Sequence, residues 1–374
     1  MIQSILKAGE ENSMANMNKG SFIAERAKKT SERSLTSQEL DFFGGDNIQF
    51  PRNALVGLTS NCNHACVFCA NPRMKRKSGK LDVDFFKKFV DDAVALGLEE
   101  IGFYTTGEPL VSKNLLDFIK IAKDAGINYI YITTNGALAG IERMKTLLDA
   151  GLNSVKFSIN AGSKEAYNLI HGRDDFDVVV ENLSALRKHI DENKRDVKVL
   201  SSFVVTRQTM HEIEEYKNII GPLVDDYLIL GVKGQSGQSL QQLKELNCEM
   251  TPSYPEEGQA SPCSMLWNRL HLTQEGYLTL CCVDYENDLT YADLSKTTLE
   301  EAWNNSVIGK MRKRHVEQKL QGTLCYNCLY GKEEKFEPLL DTKKVHRSEK
   351  LFKKGNLNVK NRIEMLNKTL KKEK

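Results

Sequence analysis

The chain has 374 residues, 40% of them hydrophobic and 27% charged, with 25 Gly and 8 Pro; at about 150 residues per domain this allows two to three domains and excludes collagenous, low-complexity and wholly disordered chains. Lys and Arg number 52 against 50 Asp and Glu, a net charge of +2, too small an excess for a dedicated nucleic-acid binder. No apolar run reaches the roughly 18 to 20 residues that cross a bilayer, and MIQSILKAGEENSMANMNKG lacks the apolar stretch of a secretory signal, so a cytoplasmic location is expected.

Residues 1–50 are polar and read as an N-terminal extension. From Ala54 the sequence alternates short β-branched or aromatic runs with helical periods, the pattern of βα units around a parallel sheet. Six strands are predicted, at 54–60, 100–106, 128–134, 154–160, 197–206 and 226–232, each almost continuously apolar as strands covered on both faces are. Between the first two, Phe86, Phe89, Val90, Ala93 and Val94 share a helical face, with Asp82 as N-cap and Gly97 as stop. Gly126 and Gly151 end the next two helices, while the long helix after Asp175 ends without glycine. Six units are too few for a closed eight-stranded barrel, which leaves an open partial barrel or a doubly wound sheet. Both place ligands at the strand C-termini, where SNCNHACVFC, TGEP, TNG, NAG and KGQSGQS fall. Each alone is ordinary turn chemistry, but together they put polar residues on one rim.

Nine cysteines in a chain expected in a reducing compartment point to metal or redox chemistry more than to disulfides. Cys62, Cys66 and Cys69 form C-x3-C-x2-C, which lets three thiolates converge from one loop and leaves one metal position open. Zinc with His64 as fourth ligand is the competing assignment, although structural zinc takes four closed ligands. Downstream, Cys263 precedes an expected hairpin, LHLT-QEG-YLTL, Cys281 follows Gly276 after four residues, and Cys325-x-x-Cys328 ends a helical stretch that starts near Leu299. Four thiols of this kind also suit a zinc ribbon. Cys248 is left unassigned, and a lone cysteine is ordinarily a small apolar residue. Residues 341–374 hold twelve Lys/Arg and four Asp/Glu, +8, leaving 40 basic and 46 acidic side chains, −6, for residues 1–340. There Val359, Ile363, Leu366 and Leu370 form an apolar stripe opposite lysines, expected to be a solvated terminal helix or a contact for a partner or an anionic surface.

The Cys62–Cys69 loop, with Phe68 before its last cysteine, and Thr106-Gly107-Glu108-Pro109 after the second strand resemble the radical S-adenosylmethionine (SAM) superfamily over residues 54–232. The resemblance implies a partial (β/α)6 TIM-like barrel and a [4Fe–4S] cluster whose open iron chelates SAM and cleaves it reductively to a 5′-deoxyadenosyl radical. It implies SAM contacts from Gly107 and Glu108 to the amino group, from Ser158 and Asn160 to the carboxylate or ribose, and from the Phe68 backbone to adenine. Where relatives carry an Arg-Gly pair this chain has His171-Gly172-Arg173, with Arg173 as the substitute. The downstream cysteines resemble a small α+β SPASM or twitch domain, implying one auxiliary [4Fe–4S] cluster on Cys263, Cys281, Cys325 and Cys328, with Cys282 able to exchange for Cys281. The expected division is 1–50 extension, 51–240 core, 241–335 auxiliary domain and 336–374 basic tail. Cys248 becomes a candidate hydrogen-atom donor. A low-potential donor such as flavodoxin or ferredoxin is the implied redox partner. The favoured substrate is a sugar or cyclitol-like small molecule undergoing oxidation or epimerisation. The alternatives are a peptide or protein substrate and, outside enzymes, a zinc-bound scaffold.

Overall fold

The computed structural model describes residues 48–235, 237–342 and 345–372, with residues 17–19 and 22; most of the expected N-terminal extension lies outside the described residues. Strand β1 is Met17–Lys19. The six predicted strands are all present, as β2 Asn53–Val56, β3 Glu100–Phe103, β4 Tyr129–Thr134, β5 Ser154–Ser158, β6 Lys198–Val205 and β7 Asp226–Gly231. They pair in parallel in sequence order. A doubly wound sheet would reverse direction partway; here the winding never reverses, so the sheet is the open partial barrel.

Three further strands extend it, β8 Arg269–Leu272, β9 Tyr277–Thr279 and β10 Thr290–Asp293. The β8–β9 pair is the expected hairpin, closed by Thr273 N–H to Tyr277 O at 2.9 Å and by Gly276 at φ +84°. The sequence gives no hint of where the hairpin attaches. Strand β8 pairs in parallel with β2, and the ten strands form one sheet in the order β1-β7-β6-β5-β4-β3-β2-β8-β9-β10.

Local sequence explains the helices. Asp82 caps Val83–Ala95 by accepting from Phe85 N–H at 2.8 Å, and its buried face is Phe86, Phe89, Val90 and Ala93. Phe86 meets Phe118 of the next helix edge-on at 5.0 Å. Outer strand residues such as Val155 and Phe157 are fully buried under these helices, whereas Lys156 and Ser158 point into the lumen and keep partial exposure. The stretch beyond Leu299 is three helices, Leu299–Trp303, Ser306–Val316 and Leu324–Tyr330. Buried Arg312 ties them to the short helix Met265–Asn268 that precedes β8, donating to Leu266 O and Trp303 O and lying 4.3 Å over the Trp303 ring.

The basic tail overturns the expectation of a solvated helix. Glu349–Lys372 is helical, and Val359, Ile363 and Leu366 are buried against Val67, Phe68, Ile170, Val232 and Leu243. At about 1.5–3 kcal/mol for a fully buried aliphatic side chain, that stripe is a strong attachment. Lys353, Lys354 and Lys360 face outward. No helix among the described residues is long and apolar enough to cross a membrane.

Inside the barrel, Gly102 faces the Tyr131 ring: a Cβ there would lie 2.5 Å from that ring and 2.7 Å from Leu55. Gly102→Ala is expected to destabilise the fold by about 1–3 kcal/mol through overpacking, read as a lowered midpoint in urea titration; an unchanged midpoint would mean the Tyr131 ring moves freely.

Candidate active site

The C-x3-C-x2-C loop leaves β2 and is tied to the rim of the barrel by its own backbone. Ala65 N–H and Val67 N–H donate to His171 O and Ile170 O at 3.0 and 2.9 Å, and Ala70 N–H donates to Gln235 Oε1 at 2.7 Å. Asn71 Nδ2 donates to Ser60 O and Thr106 O. Gly107 fits because it has no side chain: a Cβ would lie 2.3 Å from Thr59 O and 2.8 Å from Asn61 O.

This brings Cys62, Cys66 and Cys69 together. Burial, followed by the Glu108 charge, lifts the Cys62 thiol to about 12. Cys66 is pushed well above the ordinary thiol value by burial and then by Cys69 and Cys62. Thiols as raised as those of Cys62 and Cys66 become thiolates together only around a cationic centre. Structural zinc takes four closed ligands, whereas this loop supplies three thiols. The donor set suits an iron–sulfur cluster with three protein ligands. His64 does not complete a zinc site, because its nitrogens face His171 Nδ1 at 3.1 Å and Asp175 Oδ2 at 3.0 Å.

The expected SAM-binding residues surround this loop. Glu108 is buried, its carboxyl raised by desolvation although it accepts from Thr134 Oγ1 at 2.7 Å, Asn135 N–H at 2.9 Å and Leu110 N–H at 3.0 Å. Glu108 Oε2 takes only the Asn135 bond of these three, which leaves it acceptor capacity. Ser158 Oγ is 3.4 Å from Ser202 Oγ. Asn160, at φ +58°, accepts from Val204 N–H and approaches His171 Nε2. Arg173 Nε donates to Asn63 O at 3.0 Å, on the cysteine loop itself. The Phe68 ring packs in the core under the C-terminal helix. Cys248 is engaged locally, with its thiol 3.7 Å from Val205 O and its N–H on Thr251 Oγ1.

The downstream thiols also gather. Helix Leu324–Tyr330, capped by Thr323, carries Cys325 and Cys328 one turn apart. Burial and then the Cys281 and Cys328 charges lift Cys263 to about 12; Cys325 is raised by burial and by Cys263, Cys328 and Cys281. Of the adjacent pair, Cys281 acts on both Cys263 and Cys325. Cys282 is held down first by its hydrogen bond with Cys281 and then by the Arg269 charge, and Cys263 acts on it too. The two cysteine loops touch: Tyr285 Oη is 3.3 Å from Cys69 Sγ, and the Glu286 carboxylate accepts from Lys75 N–H and Arg76 N–H.

The residue that sequence reading missed is Arg362. Its buried guanidinium donates to Leu169 O and Ile170 O at 3.2 Å and to Ala65 O, and it flanks Cys66. It thereby satisfies the last carbonyls of helix Lys164–His171 and one carbonyl of the cysteine loop. Gly172 turns away at φ +72°, and a Cβ there would lie 2.7 Å from the guanidinium. The stripe of residues 359–366 held the clue, since Arg362 shares its face.

With this geometry in place, comparison with known proteins defines the class. Residues 56–220 match the radical SAM superfamily and residues 263–329 an iron–sulfur cluster-binding domain, SPASM. The chain is 33% identical over 132 residues to a GTP 3′,8-cyclase of Chlorobaculum tepidum, covering 35% of this chain and only 39% of that enzyme. It is 26% identical over 286 residues to a PqqA peptide cyclase of Bradyrhizobium diazoefficiens, covering 74% and 70%. Among solved structures, Streptococcus suis SuiB bound to the precursor peptide SuiA aligns with TM-score 0.58 at 15% identity over 74% of this chain and 70% of that one. BtrN in complex with AdoMet and 2-DOIA aligns with TM-score 0.51 at 18% identity over 78% and 98%; both show a shared fold. The chain is a radical SAM enzyme, dependent on SAM and a [4Fe–4S] cluster. It belongs to the part of that superfamily that carries a SPASM iron–sulfur domain behind the barrel.

Two outcomes are expected. Arg362→Gln leaves buried carbonyls unpaired, costing about 1–3 kcal/mol, and should speed iron loss to a chelator from the reconstituted protein; wild-type retention would show the loop holds itself. Burial also keeps His171 and His271 near 3 and His315 near 4, while unfolded imidazole titrates near 6.5. The unfolded chain binds more protons below that value, so stability falls as pH drops from 6.5 toward 3. His271→Gln should remove about 2 kcal/mol of the decline between pH 7 and 5, measured by urea titration at each pH; an unchanged slope would place the proton uptake elsewhere.

Proposed function

We propose that this enzyme modifies a peptide or protein substrate. The observation that carries the proposal is the extent of the PqqA peptide cyclase match, which runs through 74% of the chain; SuiB with its precursor peptide supports it by fold. The GTP 3′,8-cyclase match covers only 35% of the chain. The sugar or cyclitol substrate expected from the sequence has only the fold of BtrN behind it, and fold alone is weak evidence of substrate.

In this proposal Cys62, Cys66 and Cys69 hold the catalytic cluster, and Cys263, Cys281, Cys325 and Cys328 hold one auxiliary [4Fe–4S] cluster. When bound, the cluster and SAM together supply a 5′-deoxyadenosyl radical able to take hydrogen from an unactivated C–H bond. Glu108 Oε2 and Gly107 receive the SAM ammonium, a charge-assisted contact for a buried carboxylate. Ser158 and Arg173 line the same rim, and Asn160 fixes the turn that presents it. The lumen below orients the substrate carbon and excludes water. A cluster held by Cys263, Cys281, Cys325 and Cys328 would supply an acceptor for a second electron from the substrate, which would make the net reaction an oxidation. A low-potential protein such as flavodoxin or ferredoxin supplies the first. Residues 51–240 and 241–335 are the two functional regions.

Anaerobic reconstitution with iron and sulfide, then SAM, dithionite and either a peptide library or candidate sugars, tests this. The expected result is about eight irons per chain, 5′-deoxyadenosine formation that Cys66→Ala abolishes, and a mass change in a peptide. Turnover of sugars alone would defeat the peptide reading; zinc uptake with no SAM cleavage would defeat the cluster assignment.

A further inference from the structure

Each thiol of the Cys62–Cys69 loop has a polar side chain near its sulfur, and the three differ in what they offer. Asn135 Nδ2 stands 3.9 Å from Cys62 Sγ and lies closer to Asn63 Oδ1, at 2.9 Å. His171 Nδ1 lies 3.4 Å from Cys66 Sγ but also faces His64 Nδ1 at 3.1 Å. Tyr285 Oη lies 3.3 Å from Cys69 Sγ. Of the three, Tyr285 is the one from the SPASM region, 216 residues further along the chain than the sulfur it meets.

The aim of that hydroxyl is set from several sides. Tyr285 is buried, with Ala70, Met74 and Val283 packed around it. Its N–H donates to Gln238 Oε1 at 3.2 Å, and its carbonyl accepts from Arg76 Nε at 3.0 Å. The Glu286 carboxylate beside it takes the N–H groups of Lys75 and Arg76 at 2.6 and 2.9 Å. A cysteine that ligates a metal has no proton to give, and a phenol near neutrality keeps its own. The hydroxyl is therefore the donor and the sulfur the acceptor. Asn71 N–H reaches the same sulfur at 3.4 Å, which gives Cys69 two donors.

A reduced cluster carries one more negative charge, so a donor aimed at a ligand sulfur favours the reduced state, and cluster potentials follow the hydrogen bonds to their sulfurs. A buried donor acts more strongly than one in water, because little solvent screens it.

We propose that Tyr285 is a positioning residue of the catalytic centre, whose hydroxyl donates to the Cys69 sulfur and raises the reduction potential of the cluster held there. That Cys69 holds the cluster rests on the function proposed above. The SPASM region thereby acts on the reduction that precedes SAM cleavage, and a chain whose segment 281–286 is not seated has a cluster that is harder to reduce.

The test uses the full chain, reconstituted anaerobically, and reads midpoint potentials by electron paramagnetic resonance during a mediated redox titration without substrate. The catalytic cluster is the one whose signal changes when SAM is added, and the other is the internal reference. Tyr285→Phe removes the hydroxyl and keeps the ring. It is expected to lower the midpoint of the SAM-responsive cluster by about a tenfold change in its reduction equilibrium, ~59 mV for one electron, with iron content and the reference midpoint as in wild type. An unchanged midpoint, or an equal shift of both clusters, would overturn the proposal. Should the variant load no cluster, replacement of tyrosine throughout the chain by 3-fluorotyrosine, a stronger O–H donor, is expected to raise the same midpoint; an unchanged or lowered one would overturn it. Cys69→Ala separates the two assignments. Loss of the SAM-responsive signal supports the ligand, so that a failed Tyr285 result counts against the hydrogen bond alone, whereas a wild-type signal would remove the ligand assignment and the proposal with it.

Discussion

Three thiols within eight residues of chain cannot all be anions unless a cation lies among them and the backbone refuses to spread. Everything else at this rim follows from that constraint. The loop is fastened on several sides: by Gln235 after β7, by the Thr106 carbonyl after β3, and by the end of helix Lys164–His171. Gly107 has no side chain because the loop's carbonyls occupy the space. Many ties from separate strand ends do what one strong interaction could not, since each opposes a different direction of opening.

The second cysteine set is built differently. Two of its thiols come from a capped helix turn, one precedes a short helix, and one ends a hairpin whose first strand belongs to the barrel sheet. Tyr285 and Glu286 then hook the loop after that hairpin onto residues 69–76. The two clusters' binding loops are thus joined both through sheet register and through direct contact, which holds their separation to a narrow range. An electron passing between them would meet a fixed path.

Much of this was legible in the sequence. The six strands, the Asp82 cap, the glycine stops and both cysteine sets are local signals, set by periodicity and by short spacings. The choice between partial barrel and doubly wound sheet was not, because strand order depends on pairing among distant residues. The attachment of β8 to β2 escaped for the same reason, with more than 200 residues between the partners. The tail misled in another way: an apolar stripe says that a face will be covered but not by what, and Arg362 reads as one more basic residue of a basic helix. Cys281 and Cys282 are adjacent and alike in chemistry, so short spacing separates them only weakly. Substrate preference has no such local signal, because the residues that line the lumen come from separate strands.

The bond from Arg362 to Ala65 joins residues 297 apart. During synthesis the cysteine loop leaves the ribosome long before the helix that clamps it, and domains fold as the chain emerges. For that interval the barrel can close while its metal-binding loop is still missing one of its fastenings. If Arg362 governs iron retention, the order of translation separates a loop open to iron from the same loop once the helix Glu349–Lys372 has docked.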